Sequence, residues 1–194
     1  MLQICKKDVS NTVKILLTYC VLSTAFSFVG IFLAEKSPLE NNPLGGLTLH
    51  EISGHILFGL VAGTVTLSLR YTIIAGVFAV LVDSDHLIGL THIDTLGRMS
   101  HSISFGVIAF AIMMILFGKK DWRLGAIAFA AVFSHISFDI FAGDPKFPIF
   151  APWYNHMISF PKIYWLYFEI ISIIIIGIAT IFTSEKKKLQ AKEQ

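Results

Sequence analysis

The sequence predicts an all-α protein, a polytopic membrane bundle of about six spans that forms one domain. Three observations predict it. Of the 194 residues, 55% are apolar and only 14% are charged, against about 25% charged in a soluble domain. The apolar residues gather into six runs. The Lys and Arg residues gather in alternate gaps between those runs, the bias expected of short cytoplasmic loops.

The first run, Ile15–Ala34, follows Lys6, Lys7 and Lys14 and mimics a signal peptide. A cleaved apolar region is only about 7–15 residues long, so this run is read as a retained span. The second run is Ile52–Leu69. The third, Tyr71–Val82, offers about 12 residues before Asp83, against about 20 for a crossing. It spans only if the helix carries Asp83, Asp85 and His86 into the outer leaflet. The fourth is Ile103–Phe117, the fifth Leu124–Ala142 and the sixth Ile163–Phe182. Two outer segments read as irregular. Glu35–Leu47 contains Pro38, Pro43, Gly45 and Gly46, and Gly143–Pro161 contains Pro145, Pro148, Pro152 and Pro161. Phe147, Phe150, Trp153 and Tyr154 in the second suit the headgroup region. That segment reads equally as a lid over a site and as an interfacial anchor.

Basic residues fix the orientation. The N-terminal tail, Arg70, the Lys119–Arg123 turn and the Lys186–Lys192 tail would all be cytoplasmic, with both termini inside a cell (inner) membrane. The formal charge of +2 resides at segment ends and carries no sign of nucleic-acid binding. Cys5 and Cys20 imply no disulfide framework and are too few for a thiolate zinc site. Any metal must take nitrogen and oxygen ligands.

The polar residues inside the apolar runs carry the functional signal. A buried carboxylate costs several kcal/mol unless it is paired or metal-bound. Asp83-Ser84-Asp85-His86 closes the third run, Ser100-His101-Ser102 opens the fourth, and His135 and Asp139 sit inside the fifth. His135 and Asp139 are spaced i, i+4 and share a helix face. Asp83 and His86 share one too, but Asp85 is rotated about 200° from Asp83 on an ideal helix. The three converge only if the helix ends or unwinds near Ser84. Measured at about 1.5 Å per residue from the basic loops, His135, Asp83, His55 and His101 lie about 18, 20, 22 and 27 Å up. All fall in the outer half of a hydrocarbon layer about 30 Å thick. His50 and His55 lie about 140° apart around a helix, so His50-Glu51-Ile52-Ser53-Gly54-His55 is not the H-E-x-x-H of zincins. His55 is the ligand candidate, with His50 and Glu51 as outer or loop groups. His92 and His156 have no positional partner and read as surface residues.

Four blocks in order resemble the YdjM-like family of inner-membrane metal-dependent hydrolases. They are Gly54-His55-Ile56-Leu57, Asp83-Ser84-Asp85-His86, Arg98-Met99-Ser100-His101-Ser102, and Ser134-His135 through Asp139 with Gly143 and Pro152. The resemblance covers roughly residues 50–155 and leaves out the first span. The third block departs from the family pattern. Leu96 stands where the family's first His would fall, and Arg98 is one residue closer to His101. Either that His is dispensable or His92 replaces it. By motif style the family looks similar to zinc-dependent phospholipase C and P1-type nucleases, which supports only a reaction class.

The expected site therefore has His55, Asp83, His86, His101, His135 and Asp139 as metal ligands. Asp85 is a ligand or the base that takes a proton from water, and Arg98 is the clamp on a phosphate oxygen. The expected cofactor is one or two divalent ions, zinc first, with manganese, iron and magnesium as alternatives. The expected substrate is a phosphate ester of lipid type drawn from the membrane at its outer face. The competing readings are a divalent-metal or proton transporter and a non-catalytic membrane protein with a structural metal. Haem binding is disfavoured by the many aspartates.

Overall fold

A computed structural model describes residues 6–34, 48–118, 121–144 and 146–192, with the side chains of 6, 7 and 186–192 left aside. The expected irregular loop Glu35–Leu47, the basic pair Lys119 and Lys120, and Pro145 lie outside the described residues. The rest form an all-α bundle: α1 Lys6–Ser27, α2 Leu49–Gly63, α3 Leu69–Leu81, α4 Ile103–Leu116, α5 Trp122–Ala142 and α6 Tyr164–Lys192. Among the described residues the strand content is one short antiparallel pair, Lys146–Phe147 with Ile158–Ser159.

Side-chain oxygens start three of these helices by capping orphan amides. Thr48 accepts from the amide of Glu51, Ser102 from that of Phe105, and Asp121 from that of Arg123. Gly143 closes α5 in the left-handed conformation, φ 113°, where a side chain would be strained. α5 is the central helix. It is buried along most of its length and packs against α2, α3, α4 and α6. The outward residues of α1 and α6, such as Leu17, Val21, Ile174, Ile178 and Ile181, are apolar and exposed, as a lipid-facing surface requires.

Among the described residues, four segments are long and apolar enough to cross a membrane: 8–32, 69–91, 122–142 and 164–185. Segment 69–91 reaches that length because α3 continues as a 3₁₀ helix over Val82–Thr91. The change of winding comes one residue before Asp83, so the α-helix ends just ahead of the acidic cluster and continues more tightly wound. α2 and α4, with 15 and 14 residues, are shorter than their apolar runs. α2 gives way at Gly63 to a 3₁₀ turn over Thr64–Thr66 and a left-handed Leu67, φ 53°, and the chain restarts as α3.

The two ends of the bundle differ. One end gathers Arg123 on the Thr66 carbonyl at 3.3 Å, Tyr71 on Asp121 at 3.2 Å and the Trp122 amide on Thr183 at 3.2 Å. Burial pushes the Asp121 carboxyl up, but its hydrogen bonds from Arg123 outweigh this and hold it below the ordinary carboxylate value. The other end gathers the Asp and His blocks. Between them Tyr19, Phe78 and Phe105 close the interior, with Tyr19 stacked on Phe78 at 4.1 Å and donating to the Ala128 carbonyl.

Candidate metal centre

Four elements bring the polar residues to one point. α2 supplies His55, one turn inside its N-terminus. The 3₁₀ extension of α3 supplies Asp83, Asp85 and His86. A short 3₁₀ turn, Met99–His101, supplies His101 ahead of α4. The C-terminal half of α5 supplies His135 and Asp139. Asp83, Asp85 and Asp139 are 8%, 3% and 6% exposed. Three buried carboxylates thus face one guanidinium, that of Arg98.

Asp83 and Asp139 form the centre, and four imidazole Nε2 atoms converge on them. Asp83 Oδ1 is 3.2 Å from His135, 3.6 Å from His86 and 3.7 Å from His101, while its Oδ2 is 3.5 Å from His55. Asp139 Oδ1 is 3.3 Å from His55, and its Oδ2 is 3.4 Å from His135 and 3.7 Å from His101. Each carboxylate turns one oxygen to His55 and the other to His101 and His135. These separations exceed a normal N–H···O hydrogen bond, about 2.9–3.0 Å. They match the edge of a tetrahedron around an ion with bonds of about 2.0–2.2 Å, which is roughly 3.3–3.6 Å. His101 Nε2 and His135 Nε2 are buried without a hydrogen-bond partner. Native interiors rarely leave such atoms unpaired. These buried groups can hold a metal ion. Three overlapping sets have ligand atoms within 4.8 Å of one another: His55, His135 and Asp139; Asp83, His101 and His135; Asp83, Asp85 and His86.

Two of the far nitrogens, those of His135 and His101, are held from behind, as is usual for metal-bound histidines, while that of His55 is buried without a hydrogen bond. His135 Nδ1 donates to the Ala79 carbonyl at 2.7 Å, which leaves Nε2 as the lone-pair nitrogen facing the acids. His101 Nδ1 lies 3.3 Å from Asp85 Oδ2, which also accepts from Ser100 at 2.5 Å. His55 stacks on His135 at 3.7 Å, and Phe147 covers His101 at 5.8 Å. The 143–161 segment has a buried and an exposed side. Phe147 is buried against the site, while Trp153 is 88% exposed.

Asp85 is held differently from the other two acids. Its Oδ2 is turned to His101 and Ser100, and it does not line the cavity beside the cluster. It keeps a place in the third ligand set with Asp83 and His86. On a 3₁₀ helix of about 3.0 residues per turn Asp83 aligns with His86, while Asp85 is held by Ser100 and His101 from another element.

The cavity holds about 280 Å³ and is lined by Glu51, His55, Asp83, His86, Arg98, Asp139, Gly143 and Asp144, among others. Arg98 enters from a left-handed backbone position, φ 60°. One guanidinium nitrogen is 3.8 Å from Asp139, the other pairs with Asp144, and the group lies over Phe147. His92 and His156 are exposed and outside the cluster.

Two residues carry more than the sequence reading gave them. Glu51 lines the cavity, which its i, i+4 spacing from His55 could have shown. Glu169 is the one charged residue in the last apolar run and is 6% exposed in α6. Its carboxyl oxygens are buried beside Ser134 and Ser137 of α5 without a hydrogen bond of normal geometry. It lies outside the cluster. An acid inside a span is a signal in its own right.

No known protein family, curated protein or solved structure matches the chain.

Proposed function

We propose that the chain is a membrane-bound, metal-dependent hydrolase of phosphate esters related to the YdjM-like family. Its site would face the outer side of a cell membrane, with both termini in the cytoplasm. The observation that carries this reading is the convergence of four histidine nitrogens on two buried carboxylates at tetrahedral-edge distances, beside a cavity that holds an arginine. Nitrogen and oxygen donors with that spacing favour zinc over magnesium, whose preferred ligands are six oxygens. A pair of carboxylates that each face two ways suits two ions as well as one.

His55, Asp83, His86, His101, His135 and Asp139 would hold the metal, and Asp85 orients His101 through Nδ1. When bound, a divalent ion supplies Lewis acidity, which acidifies water to a pKa of about 7 and polarises the attacked group. Arg98 binds a phosphate oxygen, and Phe147 keeps bulk water from the His101 side. Headgroup depth favours a lipid phosphate over a soluble one. The packing of Tyr19 against Phe78 and Phe105 in the interior weighs against the transporter reading.

The test uses full-length protein purified in detergent, with p-nitrophenyl phosphate and with phosphatidate in mixed micelles, before and after chelation. Metal-dependent release of phosphate is expected. Zinc or proton flux into proteoliposomes without phosphate release would instead establish the transporter. Arg98→Ala should raise KM for these anions about 10–100-fold, the loss of one charge-assisted hydrogen bond, with metal content unchanged. A KM within twofold of wild type would remove Arg98 from the site.

A further inference from the structure

From the geometry we infer that Glu51 is the catalytic base of the proposed hydrolase, an assignment that rests on the reading above. The cavity is lined by four carboxylates: Glu51, Asp83, Asp139 and Asp144. Asp83 and Asp139 direct their oxygens at the histidine nitrogens, and Asp144 is tied to Arg98. Asp85, the other acid of the cluster, is turned away to Ser100 and His101. Among the described residues, Glu51 is the cavity carboxylate that is paired neither with a ligand histidine nor with Arg98. The ion-pair partner recorded for it is the exposed His50, at 3.9 Å.

Its position follows from helix geometry. Thr48 caps α2 by accepting from the Glu51 amide at 3.2 Å, which fixes the first turn. Glu51 and His55 are spaced i, i+4 and share one helix face. Glu51 therefore sits about one turn, roughly 6 Å of rise, from His55 along α2, and both line the cavity. Arg98 enters from a different element. A phosphate seated between Arg98 and the histidine cluster would leave the Glu51 side open to water.

The step balances without any further reactant. The Glu51 carboxylate accepts a proton from water as the water oxygen forms a bond to phosphorus. The bond from phosphorus to the leaving oxygen breaks, and the proton passes to that oxygen. Water and a phosphate ester become an alcohol and phosphate, and Glu51 returns to its starting state.

The experiment compares wild type, Glu51→Gln and Glu51→Asp, each purified as the full-length chain. Three quantities are read: kcat with p-nitrophenyl phosphate, bound metal per chain, and the inhibition constant of inorganic phosphate. Glu51→Gln should lower kcat by about 10²–10⁴-fold, the usual weight of a positioned base. Metal content and phosphate inhibition should stay within twofold of wild type, and Glu51→Asp should recover part of kcat. If kcat of Glu51→Gln stays within threefold, Glu51 is not the base. If Glu51→Gln loses its metal together with its activity, Glu51 is a ligand and the assignment fails. A wild type that holds metal but releases no phosphate overturns the hydrolase reading, and this assignment with it.

Discussion

Asp83→Asn is expected to abolish the response of the protein to divalent metal while leaving the metal-free fold intact. Asp83 is the hub of the cluster, because its two oxygens face all four histidine nitrogens. Asparagine keeps the volume and removes the charge. In wild type, metal at about 100 times its Kd adds about 2.7 kcal/mol of stability. For a chain of this size that is roughly 5–10 °C in the melting temperature. Chelation should remove this increment from wild type and change nothing in Asp83→Asn, whose phosphate release should fall to the metal-free level. The chelated variant should melt no lower than chelated wild type, because the substitution relieves repulsion between two buried carboxylates around His135. A variant that still gains stability from zinc would place the metal elsewhere.

Gly59→Leu is expected to act in the opposite way, lowering stability with and without metal. α2 lies against α3 through Gly59 and Gly63. A Cβ on Gly59 would meet the Ala75 carbonyl oxygen at 2.5 Å and the Gly76 Cα at 2.8 Å, and one on Gly63 would meet the Ala75 Cβ at 2.7 Å. The obstacles at Gly59 are largely backbone, so the helices themselves must separate. Overpacking of this kind costs about 1–3 kcal/mol or more. The same helix pair carries His55 and leads into Asp83, so bound metal should fall as well. Thermal unfolding in detergent, with and without chelator, reads both effects. A Gly59→Leu protein with wild-type melting temperature and metal content would contradict the close packing.

These two positions show what sequence could and could not reveal. His135 with Asp139 and Asp83 with His86 were legible because helical spacing alone puts each pair on a face. Their meeting at one end of the bundle was legible because basic residues mark the opposite helix ends and the rise per residue sets the distance from them. The need for the α-helix to end or unwind near Ser84 was legible from the rotation of Asp85, and the α-helix does end at Leu81, where the tighter 3₁₀ segment begins. The direction in which Asp85 then points was not, because it depends on Ser100 and His101 from another element. The small-xxx-small pattern of Gly59 and Gly63 is a recognised helix-packing signal, but only the fold shows that Ala75 and Gly76 receive it. The second and fourth helices are shorter than their apolar runs because hydropathy records where apolar residues lie and not where backbone winding stops.

The most direct test of the central claim is the metal content of the purified full-length protein, measured by elemental mass spectrometry. Wild type, prepared without added chelator, is set beside an Asp83→Ala/His135→Ala double variant. The double variant removes the hub carboxylate and the buried imidazole that appears in two of the three ligand sets. The account predicts one or two divalent ions per wild-type chain, zinc foremost, and essentially none in the double variant. Folded wild type without a divalent ion after incubation with zinc, or a double variant that retains as much metal as wild type, would contradict it.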